Sequence, residues 1–155
     1  MIDRSRQANL ALGLLMIMAT TVMSPVCIGV LLPMDHTVAR TAVINKHPRD
    51  VWEALVIVQD DFEGVPITVL SEDPPKRRVT HLEGENRGFG VTWETTLERE
   101  GLQTRVTIVE QGQTYNPVFR FLGRYVYGRG GRIEGVLDRL GNQFYQDVEI
   151  SEPGD

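Results

Sequence analysis

The sequence predicts an α+β domain, an antiparallel sheet wrapped on a long C-terminal helix, preceded by one transmembrane helix. Three observations carry this. From Ala8 to Leu32 there are 25 residues without a charge, enough to cross a bilayer as a helix. From Phe89 to Glu98, apolar and polar side chains alternate with the period of a strand that is wet on one face only. From Asn116 to Phe144 the apolar residues recur at helical spacing. An apolar sheet face and an apolar helix stripe must cover each other, which gives two layers.

Composition narrows the functional classes. With 155 residues and 41% apolar side chains, the chain holds one ordinary domain plus an appendage. Lys and Arg number 16 against 21 Asp and Glu, a net charge of −5, so the cationic field that nucleic-acid binding depends on is missing. Nucleic acid is therefore excluded as an expected partner. The lone Cys27 has no intramolecular partner, and no Cys/His spacing suits a zinc ion. Neither a metal nor a cofactor is expected.

The first element is the apolar run 8–32, following a short tail, 1–7. Arg4 and Arg6 stand before it, and Asp35, His36 and Arg40 after it. Its length exceeds the core of a cleavable signal. Ser24 is followed by Pro25, and bulky Val26 precedes Cys27, which disfavours both a signal-peptidase cut and a lipoprotein signal. An uncleaved single-pass anchor is the simpler reading, with Pro25 as a site for a kink. The short tail with its two arginines is expected to stay inside, placing the domain outside the cytoplasm at a bacterial inner membrane.

The domain, 33–150, begins with a strand over Thr37–Ile44, in which Val38, Arg40, Ala42 and Ile44 share parity. Pro48 opens a short helix, with Asp50 and Glu53 in its first turns and Val51, Trp52, Leu55 and Val56 at helical spacing. Residues 59–64 break the pattern, and Pro66–Leu70 resumes as a strand. Three more strands follow as a meander, with breaks at 71–76, 83–87 and 100–101. Phe89, Val91, Trp93, Thr95 and Leu97 fall on one face of the central strand. In the next, Val106 and Ile108 point one way, and the same parity turns Glu110 toward the apolar side. Asn116 caps the last helix, Pro117 fits its first turn, and Val118, Phe121, Leu122, Tyr125 and Val126 form its stripe. Glycines 128, 130 and 131 kink it before Ile133, Val136, Leu137 and Leu140 restore the spacing. The last residues, 151–155, read as a flexible tail.

Five pieces in this order resemble the START-like polyketide cyclase/dehydrase superfamily, with its helix-grip fold, in a membrane-anchored bacterial branch. They are residues 41–45 with Val51-Trp52, then 72–80, 90–94, 104–110 and 115–122. The resemblance implies a hydrophobic cavity between sheet and terminal helix, used for lipids, sterols or polyketides, and no shared catalytic residue. About a dozen residues separate the helix ending near Val58 from the strand leading into Pro74-Pro75, where the family places two more strands. This copy looks shortened, which would narrow the sheet and its cavity.

The candidate ligand-binding residues are Val91, Trp93, Thr95, Val106, Ile108, Glu110, Phe121 and Tyr125. Apolar pockets with a few polar groups suit such ligands, and core packing explains the same residues. His81 and Glu110 are the weak catalytic candidates: a carboxylate turned into an apolar cavity has its pKa raised by desolvation and holds a proton near neutrality. A satisfied structural or surface group, for either residue, is the competing reading. His36 and His47 are assigned no role beyond capping or solvent exposure. Lys76-Arg77-Arg78 reads as a solvated hairpin turn, with anionic headgroups as the alternative. The stripe of 115–132 reads as packed on the sheet, with an interfacial helix as the alternative. The Gly128–Gly131 stretch follows no strand and is not a phosphate loop.

Together these predict a membrane-anchored domain that binds a hydrophobic small molecule or lipid without catalysis. The alternatives are a cyclase or hydratase using Glu110, and a structural or protein-interaction module with a collapsed cavity.

Overall fold

The computed structural model describes residues 4–61, 64–84, 89–126 and 130–154. The expected turn at 83–87, the 62–63 portion of the break after the first domain helix, the side chain of Phe89, the flanking side chains of Arg4 and Arg6, and Gly128 all lie, in whole or in part, outside the described residues.

Helix α1 runs over Arg4–Leu31 and passes through Pro25 without a break. It is already helical at Arg4, inside the tail expected at 1–7. Its portion Leu12–Leu31, with a mean hydropathy of 2.2, is long and apolar enough for a membrane span or a signal sequence. The polar groups within it are turned back on the helix. Thr21 Oγ1 donates to the Ile17 carbonyl at 2.7 Å and Ser24 Oγ to that of Thr20 at 2.6 Å, so neither hydroxyl is left bare in an apolar medium.

After α1 come β1 (Asp35–Ile44), α2 (Pro48–Asp60), β2 (Ile67–Asp73), β3 (Arg77–Gly84), β4 (Phe89–Glu100), β5 (Gln103–Thr114), α3 (Pro117–Tyr125) and α4 (Gly131–Gln143). The strands form one antiparallel sheet in the order β1-β5-β4-β3-β2, an α+β architecture consistent with a helix-grip fold. Only residues 61–66 lie between α2 and β2. The break expected at 71–76 is narrower: β2 continues to Asp73 through an irregularity between Val69 and Ser71, and the turn holds a cis Pro74-Pro75 peptide.

Register sets the inner face in rows across the sheet. Thr80, Trp93, Glu110 and Val38 form one row, Arg78, Thr95, Ile108 and Arg40 the next. Over this face lie α2 and α4, which contribute Val51, Leu55, Val58, Ile133, Val136, Leu137 and Leu140 to a single core. Each such side chain is worth about 1.5–3 kcal/mol when fully buried.

The C-terminal helix differs from expectation: it is two helices with separate partners. Gly130, at φ 109°, starts α4 in a conformation that only glycine takes readily. A Cβ there would also sit 3.1 Å from Val38 Cγ1 and 3.2 Å from Arg40 Nη2. α4 packs on α2 and β1, whereas α3 packs chiefly on α1 and has no buried residue. The stripe of α3 is therefore not spent on the sheet. Past α4 the chain returns to the β1 edge, where Thr41 and Ser151 exchange backbone hydrogen bonds at 2.9 and 3.0 Å. Ser151 thus belongs to the sheet edge, and the tail begins after it.

Candidate functional site

Glu110 sits on β5, second from the β1 edge of the sheet, opposite Trp93 on β4 and Val38 on β1. Its inward parity makes it 2% exposed, so its charge needs partners. Trp93 Nε1–H donates to Oε2 at 2.8 Å, His36 Nε2 lies 3.1 Å from Oε1, and Arg132 Nη2 lies 3.5 Å from the same oxygen. Burial pushes this carboxyl up. The hydrogen bond from His36, the Arg132 charge and the Trp93 hydrogen bond push it down, and together with the His36 charge they prevail, leaving it below its ordinary value. The expected raised pKa and retained proton are overturned, because donors converge on a group that parity alone would have left in an apolar cavity.

The expected pairing of His81 with Glu110 is not formed either. Thr80 and Trp93 face inward, so their neighbours His81 and Thr92 face the other side. There His81 Nδ1 meets Thr92 Oγ1 at 3.0 Å. The histidine that does reach Glu110 is His36, which was assigned no role. It lies one row along the same face, opposite Gly112, and is 11% exposed. A Cβ on Gly112 would come within 2.7 Å of His36 Cε1, so the missing side chain is what admits the imidazole. His47 is the N-cap of α2 and accepts from the Arg49 backbone N–H.

Of the candidate lining residues, Val91, Trp93, Thr95, Val106 and Ile108 are all buried on the inner face, each with at most 1% of its surface accessible. Phe121 is half-buried and Tyr125 is 61% exposed on α3, where their rings pack on each other with centroids 5.1 Å apart. These two are not brought against the sheet residues. Thr80 Oγ1, buried on the inner face, has no hydrogen-bond partner among the described residues. A shallow groove of about 180 Å³ opens elsewhere, on the helix layer, lined by Ile57, Val58, Asp61, Arg139, Asn142 and Gln143.

Arg78 corrects the reading of a solvated turn. It is 2% exposed and clamps the end of α2 to the sheet: Nε donates to Glu72 at 2.8 Å, Nη1 to Gln59 at 3.2 Å and Nη2 to Asp60 at 2.9 Å. Gln59 is itself buried and donates to Thr95 Oγ1. Among the described residues, no cluster of His, Cys, Asp and Glu is placed to hold a metal ion.

No family model and no curated protein matches the sequence. Solved structures do match in fold. A conserved protein from Geobacillus kaustophilus superposes with a TM-score of 0.56 at 12% identity, covering 76% of this chain and all of that one, 100%. CalU16 from Micromonospora echinospora, of the START and polyketide cyclase-like helix-grip superfamily, gives 0.53 at 17% identity over 77% of this chain and 69% of its own. The Mll3558 protein from Rhizobium loti gives 0.52 at 17% identity over 70% and 96%. At these identities the likeness is one of fold.

Proposed function

We propose that the chain is a single-pass, membrane-anchored START-like domain that takes up a hydrophobic small molecule or lipid and performs no catalysis. The observation that carries this reading is the position of α3. It stands outside the core against α1, with Val118, Phe119, Tyr125 and Val126 exposed, so it offers apolar surface to a ligand beside the anchor without costing the contacts of α2 and α4. The anchor, 8–32, keeps the domain beside its ligand source, and its flanks favour the side outside the cytoplasm. Val91, Trp93, Thr95, Val106, Ile108 and Glu110 supply the floor of the site under α2 and α4, and Phe121 and Tyr125 stand apart from it on α3. The unpartnered Thr80 hydroxyl supports a ligand with one polar group, since a buried hydroxyl left unsatisfied costs about 1–3 kcal/mol.

The non-catalytic reading is supported by the state of Glu110. A carboxylate engaged by three donors and held below its ordinary pKa has no proton to give at neutrality, which speaks against a cyclase or hydratase built on it. Thermal unfolding of the full chain in mild detergent, with fatty acids, sterols and phospholipids added in turn, tests the proposal. The expected result is a midpoint that climbs with the concentration of one class.

A second reading, a module without a cavity that serves structure or a protein partner, is favoured by the nearly complete burial of the five sheet residues. It expects no class of lipid to raise the midpoint.

A further inference from the structure

We infer that α3 is an interfacial helix that lies in the surface of the bilayer beside the exit of α1. This rests on the proposed anchoring and adds to it a second, non-spanning contact with lipid. Three observations meet here. First, α3 divides sharply around its axis: Val118, Phe121, Leu122, Tyr125 and Val126 occupy one side, Arg120 and Arg124 the other. Second, its apolar residues are not consumed by the fold. Phe119 is 54% exposed, and Val118, Tyr125 and Val126 are exposed with it.

Third, α3 is held at the end of the apolar run. Arg120 Nη1 donates to the Leu32 carbonyl at 2.7 Å and Nη2 to that of Tyr115, binding α3 to the last residue of the uncharged segment. Pro117 presses on Gly29 so closely that a Cβ at Gly29 would fall 1.9 Å from the Pro117 carbonyl oxygen. If residues 8–32 span the bilayer, these contacts put α3 within about a turn of the hydrocarbon boundary. An exposed apolar face at that depth meets lipid, and Arg124, exposed at its back while Arg120 holds the Leu32 carbonyl, meets anionic headgroups. The occupant is therefore the lipid surface, continuous with the lipid around α1.

The experiment uses the full chain with Cys27→Ser, in which a single cysteine is placed at Phe119, Tyr125, Met16 or Thr68 and labelled with an environment-sensitive fluorophore. All four positions are exposed. The proteins are reconstituted in phosphatidylcholine/phosphatidylglycerol vesicles carrying nitroxide lipids with the quencher either shallow or deep. The expected result is blue-shifted emission at 119 and 125 quenched best by the shallow nitroxide, quenching at 16 by the deep one, and none at 68. Quenching at 16 without quenching at 119 or 125 overturns the interfacial helix and leaves the anchor standing. No quenching at 16 overturns the anchoring reading, and this inference with it.

Discussion

At the scale of single residues, Glu110 is held by a cluster of donors inside the sheet's inner face. Its folded pKa lies below the ordinary 4.5, so the ionised group stabilises the fold above that value. The contribution is lost as pH falls through the folded pKa. Glu110→Gln removes the charge and leaves Arg132 and His36 facing a neutral amide. A loss of about 3 kcal/mol is expected at pH 7 by denaturant unfolding, with a smaller further loss on acidification than the native chain shows. Equal stability at both pH values would contradict the cluster. Gly112→Ala forces His36 aside and is expected to cost about 1–3 kcal/mol. The inward turn of Glu110 was legible, because strand parity is local. Its partner was not, because the register that sets His36 opposite Gly112 is a long-range property. The clue was present all the same: His36 shares parity with Val38, and Gly112 stands two residues beyond Glu110 on one face.

Among the elements, the helices show what periodicity can and cannot say. The stripe of 118–126 was read correctly as amphipathic, and the partner it packs on was not, since a period carries no information about which neighbour an element finds. The glycines at the break were read as a kink within one helix. Gly130 instead begins a new one with its own contacts to α2 and β1. Gly29→Val places side-chain atoms where Pro117 now sits and is expected to detach α3 from α1. Limited proteolysis should then cut near Arg120 or Arg124 faster than in the native chain, and an unchanged cleavage rate would contradict the α1–α3 contact. On the sheet side, Arg78→Leu abolishes two hydrogen bonds to the end of α2 and one to Glu72 on β2, and leaves Gln59 buried without its donor. A cost of about 2–4 kcal/mol is expected in thermal or urea unfolding.

For the whole molecule, the order of strand, helix, meander and helix follows from turn residues and alternation, and so does the two-layer arrangement. The short link between α2 and β2 was also visible as a count of residues. How completely α2 and α4 close the inner face was not, because packing depends on side chains from four elements meeting at once. That closure makes occupancy the central question. A bound molecule would have to hold α2 or α4 away from the sheet or find room beside Thr80, whereas an empty fold needs neither. Native mass spectrometry of the full chain, extracted from its own membranes in a mild detergent, asks this directly. One apolar species retained at a one-to-one ratio after the bulk lipids are stripped is the expected result. A clean mass for the chain alone would contradict ligand uptake and leave a closed module in its place.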